Sequence, residues 1–340
     1  MSSKYLLRFS YLGTKYRGMQ RQSTRPNVET CTVQGAIESG LHRLNPLSEP
    51  VIVLASRTDR GVHAIENAAH TVLVPSNTTQ SYDPEVITSV VNYYLTKNGH
   101  DIIMRKTEQV PDWFHSRHLA QERSYIYRIA VLKPQLAESC SLRTTYRRYL
   151  PVAELNQCCV VPKLDFGRVH EAMELMSGIH DFRSFKNVYR TTEEEMKSTV
   201  KDILTFRLRP SGRTSTFPDP HYENVDLWEF YIRSKSFLYR QVRRMVSAVL
   251  HAGLEVQGLD SVRTMLSNPH KDSWDPRINI VPACGLFLSS IEYNEKHFDL
   301  DAEPPEEILA YYNRFNEANV EEEDGEEEMN TEQAEKLSQP

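Results

Sequence analysis

Val51-Ile52-Val53-Leu54-Ala55-Ser56-Arg57-Thr58-Asp59-Arg60-Gly61-Val62-His63-Ala64 runs from an unbroken apolar stretch into a tight polar turn. A short apolar run bounded by turn residues reads as a buried strand, so a strand delivers one carboxylate, Asp59, to a loop. Arg57 and Arg60 flank that carboxylate and favour its ionised form, while Gly61 permits a positive φ or the close approach of a large ligand. The turn by itself also has a purely structural reading, in which Thr58 or Asp59 caps its own backbone.

Around this loop the pattern organises into two halves of similar construction. A strand near residues 5 to 11 precedes a helix near 33 to 44, where Val33, Ile37, Leu41 and Leu44 keep one apolar stripe. Strands near 51 to 55 and 69 to 74 bracket the Asp59 loop. Asp83-Pro84 reads as an N-cap with proline at the first helical position, opening a helix that ends near Gly99, and Asp101 to Lys106 forms another strand. The order strand, helix, strand, strand, helix, strand is that of the ferredoxin-like split unit.

The second half repeats the theme with longer connections. Tyr125 to Leu132 reads as a strand, Asp165 caps a helix through Met176, and strands follow at Thr199 to Arg209 and Leu227 to Ser234. A helix from about Phe237 to Leu254 and a strand from Leu286 to Tyr293 close the unit. Residues 210 to 225 are proline-rich and polar and read as an exposed connection. The expected division is 1–118, 119–300 and a tail over 301–340, in an α+β fold whose two ferredoxin-like halves can sit side by side with their sheets joined.

The loop Ser56-Arg57-Thr58-Asp59-Arg60-Gly61-Val62-His63-Ala64 resembles the signature of the TruA family of tRNA pseudouridine synthases, usually Gly-Arg-Thr-Asp-Ala-Gly-Val-His-Ala. Tyr11-Leu12-Gly13-Thr14-Lys15-Tyr16-Arg17-Gly18-Met19-Gln20-Arg21-Gln22 is similar to a second motif of that family, and Thr32-Val33-Gln34 comes after it. Phe114-His115-Ser116-Arg117, Arg123-Ser124-Tyr125-Ile126-Tyr127, Gly178-Ile179-His180-Asp181-Phe182, the run from Phe237 to Val246, and Pro282-Ala283-Cys284-Gly285-Leu286 appear in the family's order. The resemblance spans about Tyr5 to Tyr293. It implies a large mixed sheet with helices on one side and a basic cleft on the other, and isomerisation of uridine to pseudouridine in tRNA, with the anticodon arm as the expected target.

The same resemblance implies roles for single residues. Asp59 takes the place of the catalytic aspartate, Arg57 that of the arginine that fills the stack when the target base is extruded, and Tyr125 that of the tyrosine packed on the base. Arg243 takes the place of the arginine that pairs with the aspartate. The chemistry fits these residue types, because an ionised carboxylate can serve as nucleophile or base and a planar arginine both stacks and binds phosphate. The residues leave the role of Asp59 open among attack on the sugar, attack on the base and proton abstraction. Tyr127 is expected in the core, and Arg240 and Arg244 at solvent or phosphate. No cofactor and no metal is expected, tRNA is the expected partner, and the resemblance also raises a homodimer. Arg60, Ser56 and Met19 depart from the family pattern and suggest a branch resembling the pseudouridine synthase-like proteins of animals. A catalytically weak RNA-binding or tRNA-folding protein that retains the cleft is the alternative reading; a metal-dependent nuclease lacks clustered carboxylates near Asp59.

Composition supports a nucleic-acid partner. The 340 residues carry a net charge of -6, yet 301–340 hold 14 acidic against 2 basic residues, leaving 38 basic against 32 acidic in the first 300. A basic body suits a polyanion. From Asp301 onward the chain reads as a disordered acidic tail. Five cysteines without metal spacing point to a reducing compartment. No run is long and apolar enough for a membrane span. The first acidic residue is Glu29, a bias shared by mitochondrial presequences, although the strand pattern starting at Tyr5 leaves no dispensable leader; mitochondrial and cytoplasmic placement both stay open.

Overall fold

The computed structural model describes residues 2–21, 31–76, 80–138, 143–187 and 198–314. In the first half, β1 (Ser3–Tyr11), α1 (Val33–Leu41), β2 (Ile52–Leu54), β3 (His63–Leu73), α2 (Pro84–Lys97) and β4 (Ile102–Val110) succeed one another. The strands lie in the order β4-β1-β3 with β2 antiparallel to β3, the arrangement expected of a split unit. Local chemistry sets the helix ends. The Thr32 side chain accepts from Gly35 N, and the Asp83 side chain accepts from Glu85 N with Pro84 behind it. The first helix is one turn shorter than its stripe predicts, because residues 42–44 tighten into a 3-10 turn that Asn45 ends at φ 52°.

The second half comprises β5 (Ala120–Leu132), α3 (Pro134–Glu138), β6 (Cys159–Val161), α4 (Phe166–Met176), β7 (Gly178–Asp181), β8 (Val200–Pro210), β9 (Val225–Ser234), α5 (Gln241–Leu254), α6 (Gly258–Ser267) and β10 (Leu286–Tyr293). Its strand order is β10-β5-β9-β8-β7. The two halves join where β3 and β10 pair in parallel, His63 with Phe287 and Ala64 with Leu288, giving one mixed sheet of ten strands. His63 lies four residues after Asp59. The loop predicted to carry the chemistry therefore opens at the seam between the halves.

The helices occupy one face of the sheet. Thr88 of α2 donates its hydroxyl to Thr107 of β4, and Phe166 of α4 packs its ring against Trp228 of β9. Tyr125, Tyr127 and Ile129 alternate onto the face of β5 that meets Ile232, Phe230 and Trp228, so they look toward the α4–α5 layer. The 210–225 connection is exposed as expected but pinned. Arg128 binds Ser211 Oγ at 3.1 Å, Gly212 O at 2.7 Å and the buried Glu154 carboxylate at 2.8 Å, while Tyr222 donates to Glu154 at 3.0 Å.

Part of the segment expected as a tail from Asp301 is folded onto the body. Residues 306–314 are helical, with Ile308 fully buried, Tyr311 stacked on His118 at 3.8 Å and Tyr312 donating to Trp113 O at 3.4 Å. Ile308, Tyr311 and Tyr312 fall at helical spacing on one face, which gives the segment a reason to dock. The acidic run Glu321–Glu328 lies outside the described residues. Truncation at residue 300 is expected to destabilise the protein by roughly 2–5 kcal/mol, the range for emptying one buried aliphatic site such as that of Ile308. Truncation after Arg314 is expected to be neutral, because residues 315–340 are acidic and poor in apolar side chains. Equal, unchanged unfolding midpoints for both truncations would show that the helix adds nothing.

Candidate active site

The Asp59 loop rests on the first motif of the chain. Met19 N donates to Thr58 O at 3.1 Å, and Gly13 N donates to His63 Nδ1 at 3.0 Å. Tyr11 and Thr58 share a hydroxyl contact of 2.7 Å, and Asn67 donates to Ser56 O at 3.1 Å. Gly13 is required at its place, since a Cβ there would stand 1.9 Å from Val62 O. Gly61 takes φ +81°, as the turn chemistry anticipates. Two stretches some forty residues apart thus fold as one bed for a single carboxylate.

Two arginines converge on that carboxylate. Arg243 Nη1 stands 3.4 Å and Arg240 Nε 3.5 Å from the same oxygen, Asp59 Oδ2. Arg243 comes from the first turn of α5 and is fixed independently, with Nε and Nη2 donating to Val281 O at 3.1 and 2.8 Å. Ser247 completes the clamp: its hydroxyl donates to Arg243 O at 2.6 Å and accepts from Val281 N at 2.9 Å. Arg57 and Arg60, the sequence neighbours expected to keep Asp59 ionised, are exposed and not paired with it. The cations beside it come instead from the loop and first turn at the start of α5, about 180 positions away.

Tyr125 is buried beside the loop. Its hydroxyl is 3.1 Å from Ser56 Oγ, and its ring stands edge-on to Phe237 at 5.2 Å. Burial raises the pKa of this hydroxyl, Ser56 and Arg123 oppose the rise, and the nearby Asp59 charge adds to it. Tyr127 is a core residue, as expected, and donates to Pro282 O at 2.8 Å. Gly285 makes room for it, since a Cβ there would come within 2.7 Å of its ring.

Asp59, Tyr125 and Arg243 therefore meet at the β3–β10 seam. Arg57 stands at the exposed rim of the same loop. Two further expectations change. Arg244 does not face solvent or phosphate: it is buried, donating to Ser184 O at 3.1 Å and Lys186 O at 2.7 Å, with its guanidinium 4.7 Å from the Trp274 ring centre. Arg240 faces Asp59. The helix begins at Gln241 instead of Phe237 because Arg240 adopts a left-handed conformation, φ 58° and ψ 9°, which costs a residue with a side chain about 1–2 kcal/mol.

Cys31, Cys158, Cys159 and Cys284 are free thiols, and burial pushes Cys158 up to about 12 and Cys159 to about 11, so neither is poised as a nucleophile. Cys140 lies outside the described residues. Among the described residues no group of three or more His, Cys, Asp or Glu is placed to hold a metal, and no helix is long and apolar enough to cross a membrane.

Comparison with known proteins bears on the family of the chain as a whole. Residues 172–294 match the family described as tRNA pseudouridine synthase. The chain is 31% identical over 317 residues to tRNA pseudouridine synthase-like 1 of Xenopus laevis, covering 92% of this chain and 98% of that one. It is 31% identical over 297 residues to the Homo sapiens protein of the same name, covering 86% and 90%. Against tRNA pseudouridine synthase A of Roseobacter denitrificans the identity is 28% over 298 residues, covering 88% and 98%. A likeness that runs through nearly the whole of both chains, in animals and bacteria alike, is one of family and not of fold alone: the chain belongs to the TruA family of tRNA pseudouridine synthases, in the branch of the animal synthase-like proteins.

Proposed function

We propose that this protein converts uridine to pseudouridine in the anticodon arm of tRNA, with Asp59 as the reacting carboxylate. The observation that carries the proposal is the pairing of Asp59 with Arg243, itself clamped by Val281 O, beside the buried Tyr125 ring. The reaction is an isomerisation: the bond from C1′ to N1 breaks, the uracil turns, C1′ bonds to C5, and the proton lost from C5 is matched by one taken up at N1. A fixed carboxylate at the sugar can attack or accept a proton without an external energy source. The test is purified protein with an unmodified tRNA transcript in chelator, read by mapping pseudouridine. Binding without conversion would leave a tRNA-binding protein; conversion confined to positions outside the anticodon arm would remove the assignment of the target.

Tyr125 is proposed to pack on the extruded uracil, a role supported by its place next to Ser56. Tyr125→Phe is expected to keep most of the rate and Tyr125→Ala to lose about tenfold or more, because stacking of roughly 1–3 kcal/mol needs the ring. Equal losses in the two variants would count against stacking. Arg57, exposed at the rim, is proposed to fill the place of the extruded base. Arg57→Lys should then slow paired target sites more than an unpaired uridine, since extrusion costs a few kcal/mol less where pairing is absent; a uniform loss across both substrates would eliminate that role.

A further inference from the structure

Arg240 occupies a conformation that its own side chain disfavours. Among the described residues the left-handed positions outside glycine are Asn45, Asn156 and Arg240. Asparagine tolerates this region because its short polar side chain bonds locally, whereas a long side chain gains nothing there. Glycine would fit without penalty. The electrostatic surroundings are equally unfavourable: Arg243 approaches the same carboxylate oxygen, and Arg244 lies close enough that, after burial, the charge of Arg240 lowers its pKa. Backbone strain and crowded cations together point to a function for the side chain, since such features persist where a site uses them.

Among the described residues the side chain has one ionic partner. Its Nε is buried, makes no hydrogen bond and lies 3.5 Å from Asp59 Oδ2, and its guanidinium stands 5.0 Å from the Tyr239 ring centre. Arg243 is 14% exposed and held by Val281 O, whereas Arg240 is 36% exposed. The two arginines thus reach one oxygen from different depths, one from the protein interior and one from the open side where RNA would arrive.

We propose that Arg240 is a positioning residue for Asp59, holding Oδ2 from the open side while Arg243 holds it from within, and compensating the carboxylate charge as the phosphodiester backbone approaches. The inference rests on the reading of Asp59 as the reacting group. It explains why a left-handed position that suits glycine carries arginine: the conformation turns the side chain back from the start of α5 toward the loop.

Arg240→Gly, Arg240→Lys and Asp59→Asn should be compared by steady-state kinetics on a tRNA transcript and by thermal unfolding of the full chain. Arg240→Gly is expected to melt at or above the parent, because glycine relieves the strained conformation. Its kcat should nevertheless fall about 10- to 100-fold with KM changed less than about threefold, as expected for losing one of the two cations at the reacting carboxylate. Arg240→Lys should recover part of kcat. A glycine variant with kcat within about twofold of the parent, a loss that tracks a lower melting temperature, a loss confined to KM, or a lysine variant no better than glycine would overturn the proposal. Asp59→Asn separates the two readings: if it turns over normally, the assignment of the reacting carboxylate fails; if it is inactive while Arg240→Gly is fully active, only the role of Arg240 fails.

Discussion

Asp59→Asn is expected to lower pseudouridine formation by at least about 1,000-fold while leaving tRNA affinity within a few fold of the parent. Asparagine has nearly the same shape and can still accept from Arg243, so the loop that rests on Gly13 and Met19 should persist. It lacks only the charge, and an amide is neither a useful nucleophile nor a base at neutral pH. Affinity should survive because basic contacts to the phosphate backbone supply most of the binding. Single-turnover assays with saturating enzyme, alongside a salt titration of binding, separate the two contributions. Near-normal turnover in the variant would show that another group does the chemistry.

The second large effect is expected at Arg243. Arg243→Met keeps much of the side-chain volume but removes the charge from Asp59 and the two donors from Val281 O. Truncating one partner of a mostly buried ion pair costs roughly 3–5 kcal/mol, the low end applying here because Asp59 keeps Arg240 while Val281 O loses both of its donors from Arg243. If about 3 kcal/mol of that appears in the transition state, kcat falls on the order of 100-fold. Arg243→Lys should fall between the parent and the methionine variant, since one ammonium cannot reproduce both the contact to Asp59 and the paired bonds to Val281 O. A methionine variant that lost folding stability without any loss in kcat would reduce Arg243 to a structural clamp.

Much of the architecture is determined locally and is legible in the chain. Asp83-Pro84 and Asp165 cap helices through bonds to amides two and three residues away, and a short apolar run after Gly285, Leu286-Phe287-Leu288, marks the start of the strand from Leu286 to Tyr293. The clustering of Gly13, Thr58 and Asp59 is legible only through the ordered motifs, because spacing within either stretch does not reveal that they touch.

The partners of charge are where tertiary structure decided the outcome. Arg57 and Arg60 stand next to Asp59 in the chain, yet a turn sends neighbouring side chains apart, and the cations that reach Asp59 come from the loop and first turn at the start of α5. Arg240, Arg243 and Arg244 look alike in sequence but differ in fate. One turn of helix and a left-handed residue direct two of them to the carboxylate and bury the third among the carbonyls of Ser184 and Lys186. The same reason accounts for the C-terminal segment: Ile308 and Tyr311 are too few apolar residues to fold alone, and they order only because the surface around Trp113 and His118 is there to receive them. Local hydrogen bonds and periodicity are properties of the sequence, whereas long-range ion pairs and docking depend on which surfaces folding brings together.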